Sequence, residues 1–286
     1  MSRLVPVLAL GSALLTAGAA VFVRQGLRGA DPYSGYWINL AVGTVALWAA
    51  VLVSGPHGTV GAGGIAFFVL AGLIGTMAGR LLRFVAIEKV GASVASALVN
   101  LSPLFASALA IALLGERVTA PIVLGTLVIV AGTVCLSGSS ARVGFRPRHL
   151  WLGILSAACF GIVAVLRKLG LGHVGPVLGF TVNVTAALVA YTAFLVASGR
   201  HRGIRAQGRS LAYFVAAGVA ENAGVLLTVV ALSLGTVSVV TPLTGSAPIF
   251  VLLLSVLFLR GVERLTASVV AGTVLIVLGV YLITAL

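Results

Sequence analysis

Glu116-Arg117-Val118-Thr119-Ala120-Pro121-Ile122-Val123-Leu124-Gly125-Thr126-Leu127-Val128-Ile129-Val130-Ala131-Gly132 is written a second time, 147 residues on, as Glu263-Arg264-Leu265-Thr266-Ala267-Ser268-Val269-Val270-Ala271-Gly272-Thr273-Val274-Leu275-Ile276-Val277-Leu278-Gly279. Any two apolar strings look alike, but here Glu, Arg, Thr, Gly, Thr and Gly keep step through the apolar filler, which chance rarely arranges. Working outward, Ser93, Pro103 and Phe105 return 145 residues later as Ser238, Pro248 and Phe250. Pro32, Gly35 and Asn39 return 144 residues later as Pro176, Gly179 and Asn183. The chain is therefore one unit written twice, and the Ser-, Arg- and Gly-rich segment 139–149 reads as the linker between residues 1–138 and 150–286.

Each unit carries five apolar stretches. Hydropathy sets them at Leu4 to Val23, Tyr33 to Val53, Gly64 to Ile87, Ala92 to Leu114 and Val118 to Ser137, then Leu150 to Leu169, Pro176 to Ser198, Leu211 to Ser233, Val237 to Leu259 and Leu265 to Ala285. A helix of roughly 20 apolar residues crosses the hydrocarbon core, so the expected fold is an all-α membrane protein of ten transmembrane helices. Five crossings per unit place the second copy upside down relative to the first. Such inverted repeats build secondary transporters, whose central site opens alternately to the two sides of the membrane.

Composition agrees: 60% of the 286 residues are hydrophobic and only 8% charged, with 36 glycines, which no water-soluble core requires. The first stretch lacks a separate basic region and has a repeat partner, so it reads as a retained helix. Cys135 and Cys159 lie in apolar spans and read as packing residues, with no metal site or cofactor suggested. A net charge of +13 could suggest nucleic acid in a soluble protein. Here the basic residues gather in connections between helices, where they orient the chain and meet anionic headgroups; no nucleic-acid partner is expected. Twelve Lys and Arg fall in the odd-numbered connections and four, including Arg167 and Lys168, in the remainder. That asymmetry predicts cytoplasmic odd loops and outward termini.

Polar residues inside the spans mark the candidate site. Ser93, Ser96, Asn100, Pro103 and Ser107 recur at helical spacing along the fourth span, and Ser238, Thr241, Gly245 and Pro248 along the ninth. Small hydroxyls serve helix packing as readily as a substrate, whereas Asn100, a larger amide, reads as a cavity residue. Pro103 and Pro248 are expected inside their helices as kinks or hinges, each freeing a backbone carbonyl. Ionisable groups at membrane depth are functional by default. Glu221, with Asn222 beside it, sits near the middle of the eighth span, and Arg80 on the equivalent third. An acid and a base across one cavity would bind the amine and carboxylate of a zwitterion separately; the competing reading is an ion pair that fixes packing. The same carboxylate makes protons a candidate coupled partner. Asn39 and Asn183, matched across the repeat, either bind substrate or join neighbouring helices. Glu116 and Glu263 read as caps at short turns.

Ala86-Ile87-Glu88-Lys89-Val90-Gly91-Ala92, Leu101-Ser102-Pro103-Leu104-Phe105, Leu114-Gly115-Glu116-Arg117 and the run from Gly125 to Gly132 resemble the EamA repeat of the drug/metabolite transporter superfamily. The resemblance spans nearly the whole chain. It implies two EamA-type repeats in the cell's inner or plasma membrane, and an exporter of amino acids, other small metabolites or drugs. It also implies cytoplasmic termini, opposite to the charge asymmetry. A flippase for a lipid or lipid-linked headgroup is the rival within the same architecture. An enzyme is not expected: there is no Gly-x-Ser-x-Gly or His-Glu-x-x-His, and His57, His149, His173 and His201 lie at helix ends or in loops.

Overall fold

The computed structural model describes residues 4–54, 60–90, 98–138, 149–203, 206–258 and 267–284. All regular structure among them is helical: α1 Leu4–Gly26, α2 Pro32–Ser54, α3 Ala62–Ala71, a π-helical segment Gly72–Gly79, α4 Arg80–Val90, α5 Ser102–Leu114, α6 Ala120–Gly138, α7 Leu150–Gly170, α8 Pro176–Ala197, a 3-10 turn Arg200–Gly203, α9 Gly208–Leu234, α10 Val237–Thr244, α11 Ala247–Phe258 and α12 Ala267–Thr284. Within the described residues, six helical stretches are long and apolar enough to cross a membrane: Leu4–Val23, Pro32–Val53, Ala62–Arg83, Leu150–Gly170, Pro176–Ala197 and Gly208–Leu234. Ser102–Leu114, Ala120–Cys135, Val237–Val251 and Val270–Thr284 are apolar and shorter. Most of the expected linker, the start of the fourth span and the Glu263 turn lie outside the described residues.

Local chemistry sets the helix ends. Asp31 accepts from the backbone N–H of Tyr33 at 2.9 Å and of Ser34 at 3.1 Å, and Pro32 supplies a first residue that needs no donor. α5 stops because Gly115 turns into the left-handed region at φ 64°.

Exchanging the two halves leaves the packing pattern unchanged. α1 runs along α9 and meets α10 and α11; α7 runs along α3, the π segment and α4, and meets α5. α2 pairs with α8, and α6 with α12, each with its own counterpart. The glycines of the written-twice stretch explain the last pairing. A Cβ on Gly132 would lie 2.7 Å from the Gly272 carbonyl oxygen, and one on Gly279 would lie 2.6 Å from that of Gly125. Only backbone fits there, which is how membrane helices approach closely without a hydrophobic driving force. Phe68 and Phe214, both buried, fill equivalent places beside Gly179 and Gly35. The outer surface remains apolar, with Val7, Leu52, Val53, Leu113 and Val189 exposed, as hydrocarbon requires.

Two local features depart from the sequence reading. The π segment carries Gly72, Gly75 and Gly79, and its freed carbonyls find side-chain donors: Ser156 Oγ reaches Gly79 O at 2.8 Å and the Tyr36 hydroxyl donates to Thr76 O. π-turns of this kind recur at functional sites. The second departure corrects the placement of the prolines. Pro103 and Pro248 are not helix-interior: Pro103 occupies the first turn of α5, and Pro248 the second position of α11. The breaks precede them, at Asn100–Leu101 and at Gly245–Ser246, positions that match at the spacing of 145. Proline at the start of a helix costs no hydrogen bond, and the residue before it resists helical geometry, so the chain breaks one step earlier.

Candidate functional site

A cavity of about 270 Å³ opens where the two breaks meet. The first half contributes Gly75, Thr76 and Arg80 around the π segment, and Asn100, Ser102 and Ala106 at the first break. α7 contributes Phe160, Val163, Ala164 and Arg167; Val225 and Thr228 come from α9, and Thr241, Thr244 and Gly245 from the second break. The breaks touch, since a Cβ on Gly245 would come 3.3 Å from Pro103 Cγ. Discontinuous helices in corresponding positions of two halves point to the binding site of a transporter.

Behind the wall stand two polar clusters. In one, Arg80 Nη2 lies 2.7 Å from Glu221 Oε1, and Asn39 Nδ2 donates to Glu221 Oε2 at 2.7 Å. Asn222 Nδ2 donates to Asn39 O at 3.3 Å and to Gly218 O at 2.7 Å, tying α2 to α9. The Arg80 guanidinium also sits 5.4 Å from the centre of the Tyr36 ring. In the other cluster, Asn183 Nδ2 donates to Thr76 Oγ1 at 3.0 Å, and Arg167 Nε donates to Asn183 Oδ1 at 3.0 Å. The Arg167 guanidinium is 5.4 Å from the centre of the Phe180 ring. Asn183 with Phe180 holds Arg167 directly between an amide and an aromatic face, whereas Asn39 acts one step removed, holding the Glu221 carboxylate that pairs with Arg80 beside the Tyr36 ring. The two arginines themselves are not repeat-related, one lying on α4 and the other on α7.

Of the expected site residues, Arg80, Asn100 and Thr241 lie on the cavity wall. Glu221, Asn39, Asn183 and Asn222 lie behind it, the three asparagines buried. Ser96, with Ser93, lies outside the described residues. Ser107 Oγ is buried without a hydrogen-bond partner among the described residues. Ser238 is diverted from the stripe to a cap: Glu116 accepts from the N–H groups of Val237 at 2.8 Å and Ser238 at 3.0 Å, and from Ser238 Oγ at 2.7 Å. Glu116 therefore holds the N-terminus of α10 from across the repeat, where a carboxylate suits the helix dipole. Lys168 completes the turn, donating to Leu232 O at 2.7 Å and Gly235 O at 2.6 Å at the end of α9.

Arg167 is the residue that sequence reasoning missed. Counted as a loop cation, it lies within α7 on the face that carries Phe160, Val163 and Ala164, and the steps of seven, four and three residues are the signal that could have found it.

The sequence profile of the EamA-like transporter family matches residues 4–138 and, separately, residues 148–285. Comparison with curated proteins gives no match. Among solved structures, one described only as the crystal structure of a protein superposes with a TM-score of 0.81, covering 98% of this chain and 98% of that one at 21% sequence identity. At that identity the likeness establishes the fold.

Proposed function

The chain belongs to the EamA-like transporter family, and on the premise that it is a multi-pass membrane transporter of the drug/metabolite type we propose that it exports small polar metabolites, amino acids and related zwitterions or drugs among them, across the inner membrane by alternating access. The observation that carries the reading is the cavity at the meeting of two repeat-equivalent helix breaks. Residues 1–138 and 150–286 are the two moving halves, each of five crossings and oppositely oriented, and 139–149 joins them. The mobile elements are α5 on one side and α10 with α11 on the other, hinged at the breaks that Pro103 and Pro248 close. Asn100, Arg80 and Thr241 face the substrate; Asn39, Asn183, Asn222 and Glu221 position what faces it. Ser96 belongs to the same stripe. Glu221 is the candidate site of proton coupling, since a proton on its carboxyl would release Arg80 from the pair and free a donor at the wall.

The test is metabolite release by cells producing the wild-type protein or Thr241→Trp at equal membrane level. Thr241 turns its hydroxyl back to Val237 O at 2.8 Å within its own helix, so the larger ring fills cavity space without breaking a contact between helices. Release above background by the wild type and none by the variant is expected. Equal release would remove the cavity from the transport path.

A further inference from the structure

The wall of the cavity carries more positive than negative charge, and the excess has an address. Glu221 is spent: one oxygen meets Arg80 and the other Asn39. Arg167 has no such partner. Its Nε is satisfied by Asn183, but among the described residues it makes no ion pair, and its two terminal nitrogens meet no acceptor. A guanidinium at membrane depth without a counter-charge is costly, and the cost falls when a ligand supplies one. Asn183 is fully buried and tied to Thr76, and the Phe180 face lies beside the guanidinium, so the group is held in place. A planar fork held at one edge and open at the other is the geometry that binds carboxylate or phosphate oxygens in pairs.

We propose that Arg167 is the anion subsite of this cavity, and that the preferred substrate bears a carboxylate or phosphate with no compensating ammonium. The assignment rests on the transport reading and narrows its substrate class. The wall's two arginines face one carboxylate, Glu221, which is committed to Arg80; the charge left at Arg167 is offset by a compound with a net negative charge and not by a zwitterion. An ammonium has no carboxylate to meet at the wall, because the nearest one is already paired. Asn183 acts through Arg167 as a positioning residue.

The discriminating experiment keeps one carbon skeleton and changes its charge. Leucine, N-acetylleucine and leucine methyl ester are titrated against the purified full chain in nanodiscs, reading thermal stabilisation, and tracer counterflow of leucine and of N-acetylleucine is followed in proteoliposomes. Glycerol 3-phosphate tests the phosphate form. N-acetylleucine or glycerol 3-phosphate should bind at least about tenfold more tightly than leucine or its ester, and Arg167→Gln should remove that advantage, as loss of a charge-assisted pair predicts. Asn183→Asp, nearly isosteric, places a carboxylate on Arg167 Nε and should remove it too, which keeps the test sound if Arg167→Gln folds poorly. Nanodiscs with and without phosphatidylglycerol separate the two sources of an anion: stabilisation by that lipid, lost in Arg167→Gln and unmatched by the soluble anions, would assign the subsite to a headgroup. Equal or tighter binding of leucine or its ester, an unchanged preference in a folded Arg167→Gln, or no binding by any anion at millimolar concentration would each overturn the proposal. Failure of the transport reading looks different: binding would persist with no counterflow of either tracer.

Discussion

Replacing Glu221 by Ala breaks two contacts at once, the 2.7 Å ion pair to Arg80 and the 2.7 Å hydrogen bond from Asn39. Removing one partner of a buried pair costs ~3–5 kcal/mol because the other charge is left uncompensated. Here the side chains keep 19% and 24% of their exposure, so screening brings the cost below that range, to ~2–3 kcal/mol. Glu221→Gln is milder. Its amide oxygen can still accept from Arg80, and rotation of the Asn39 amide would present Oδ1, which is buried without a partner among the described residues, to the new donor. Two charge-assisted bonds become weaker ones, at ~1–2 kcal/mol in all. The double variant Arg80→Met with Glu221→Leu removes both charges and should lie within ~1 kcal/mol of the wild type. Thermal unfolding of the purified protein in one detergent ranks the four. The Ala variant should melt roughly 4–12 °C lower, by the scaling of soluble domains, with Gln between and the double variant near the wild type. An Ala variant that melts with the wild type, or a double variant worse than the single, would refute the claim that the pair holds α4 against α9.

The remaining predictions address coupling, packing, capping and orientation. Glu221→Gln in liposomes should lose transport driven by an imposed pH gradient while retaining exchange of substrate for substrate; undiminished gradient-driven transport would take Glu221 out of the coupling. Gly279→Val should collapse the yield of folded protein in fluorescence-detected size exclusion, because its side chain would start 2.6 Å from the Gly125 carbonyl oxygen, whereas Gly203→Ala, with nothing within 4 Å, should be neutral. Glu116→Ala removes three hydrogen bonds from the start of α10 and should cost ~1–2 kcal/mol in the same melting assay. A single Cys at Gln207, in a chain whose Cys135 and Cys159 are replaced by Ala, should resist membrane-impermeant thiol reagents added to intact cells; efficient labelling would place that loop outside and the termini in the cytoplasm.

Apolar runs and matched polar residues are local properties, and they made the helices and the repeat legible. Asn39 and Asn183 were visible as a matched pair for the same reason, although their tasks, one holding Glu221 and the other Arg167, depend on which helices meet. The π segment was not legible, because Gly72 to Gly79 reads as an ordinary apolar turn until Val163 and the Asn183 backbone close in on its glycines. The prolines misled because hydropathy runs smoothly across Asn100–Leu101 and Gly245–Ser246. The Ser102-Pro103 and Ala247-Pro248 pairs, in which each proline follows a small residue, carried the start signal that the averaging hid. Arg167 was hidden by Lys168: two adjacent cations near a helix end read as interface residues, yet a step of one residue turns them by about 100°, one toward the cavity and the other toward the end of α9.

The glycine contact between α6 and α12 also imposes an order on how the molecule comes to exist. Gly132 and Gly272, which meet through backbone, are some 140 residues apart, so at a synthesis rate of ~5–20 residues per second α6 is made roughly 7–30 s before its partner. Throughout that interval its narrow glycine seam lacks the backbone surface that covers it in the folded protein. Pairing of α6 therefore waits on α12, and ribosome stalling before α12 is made would leave that seam open.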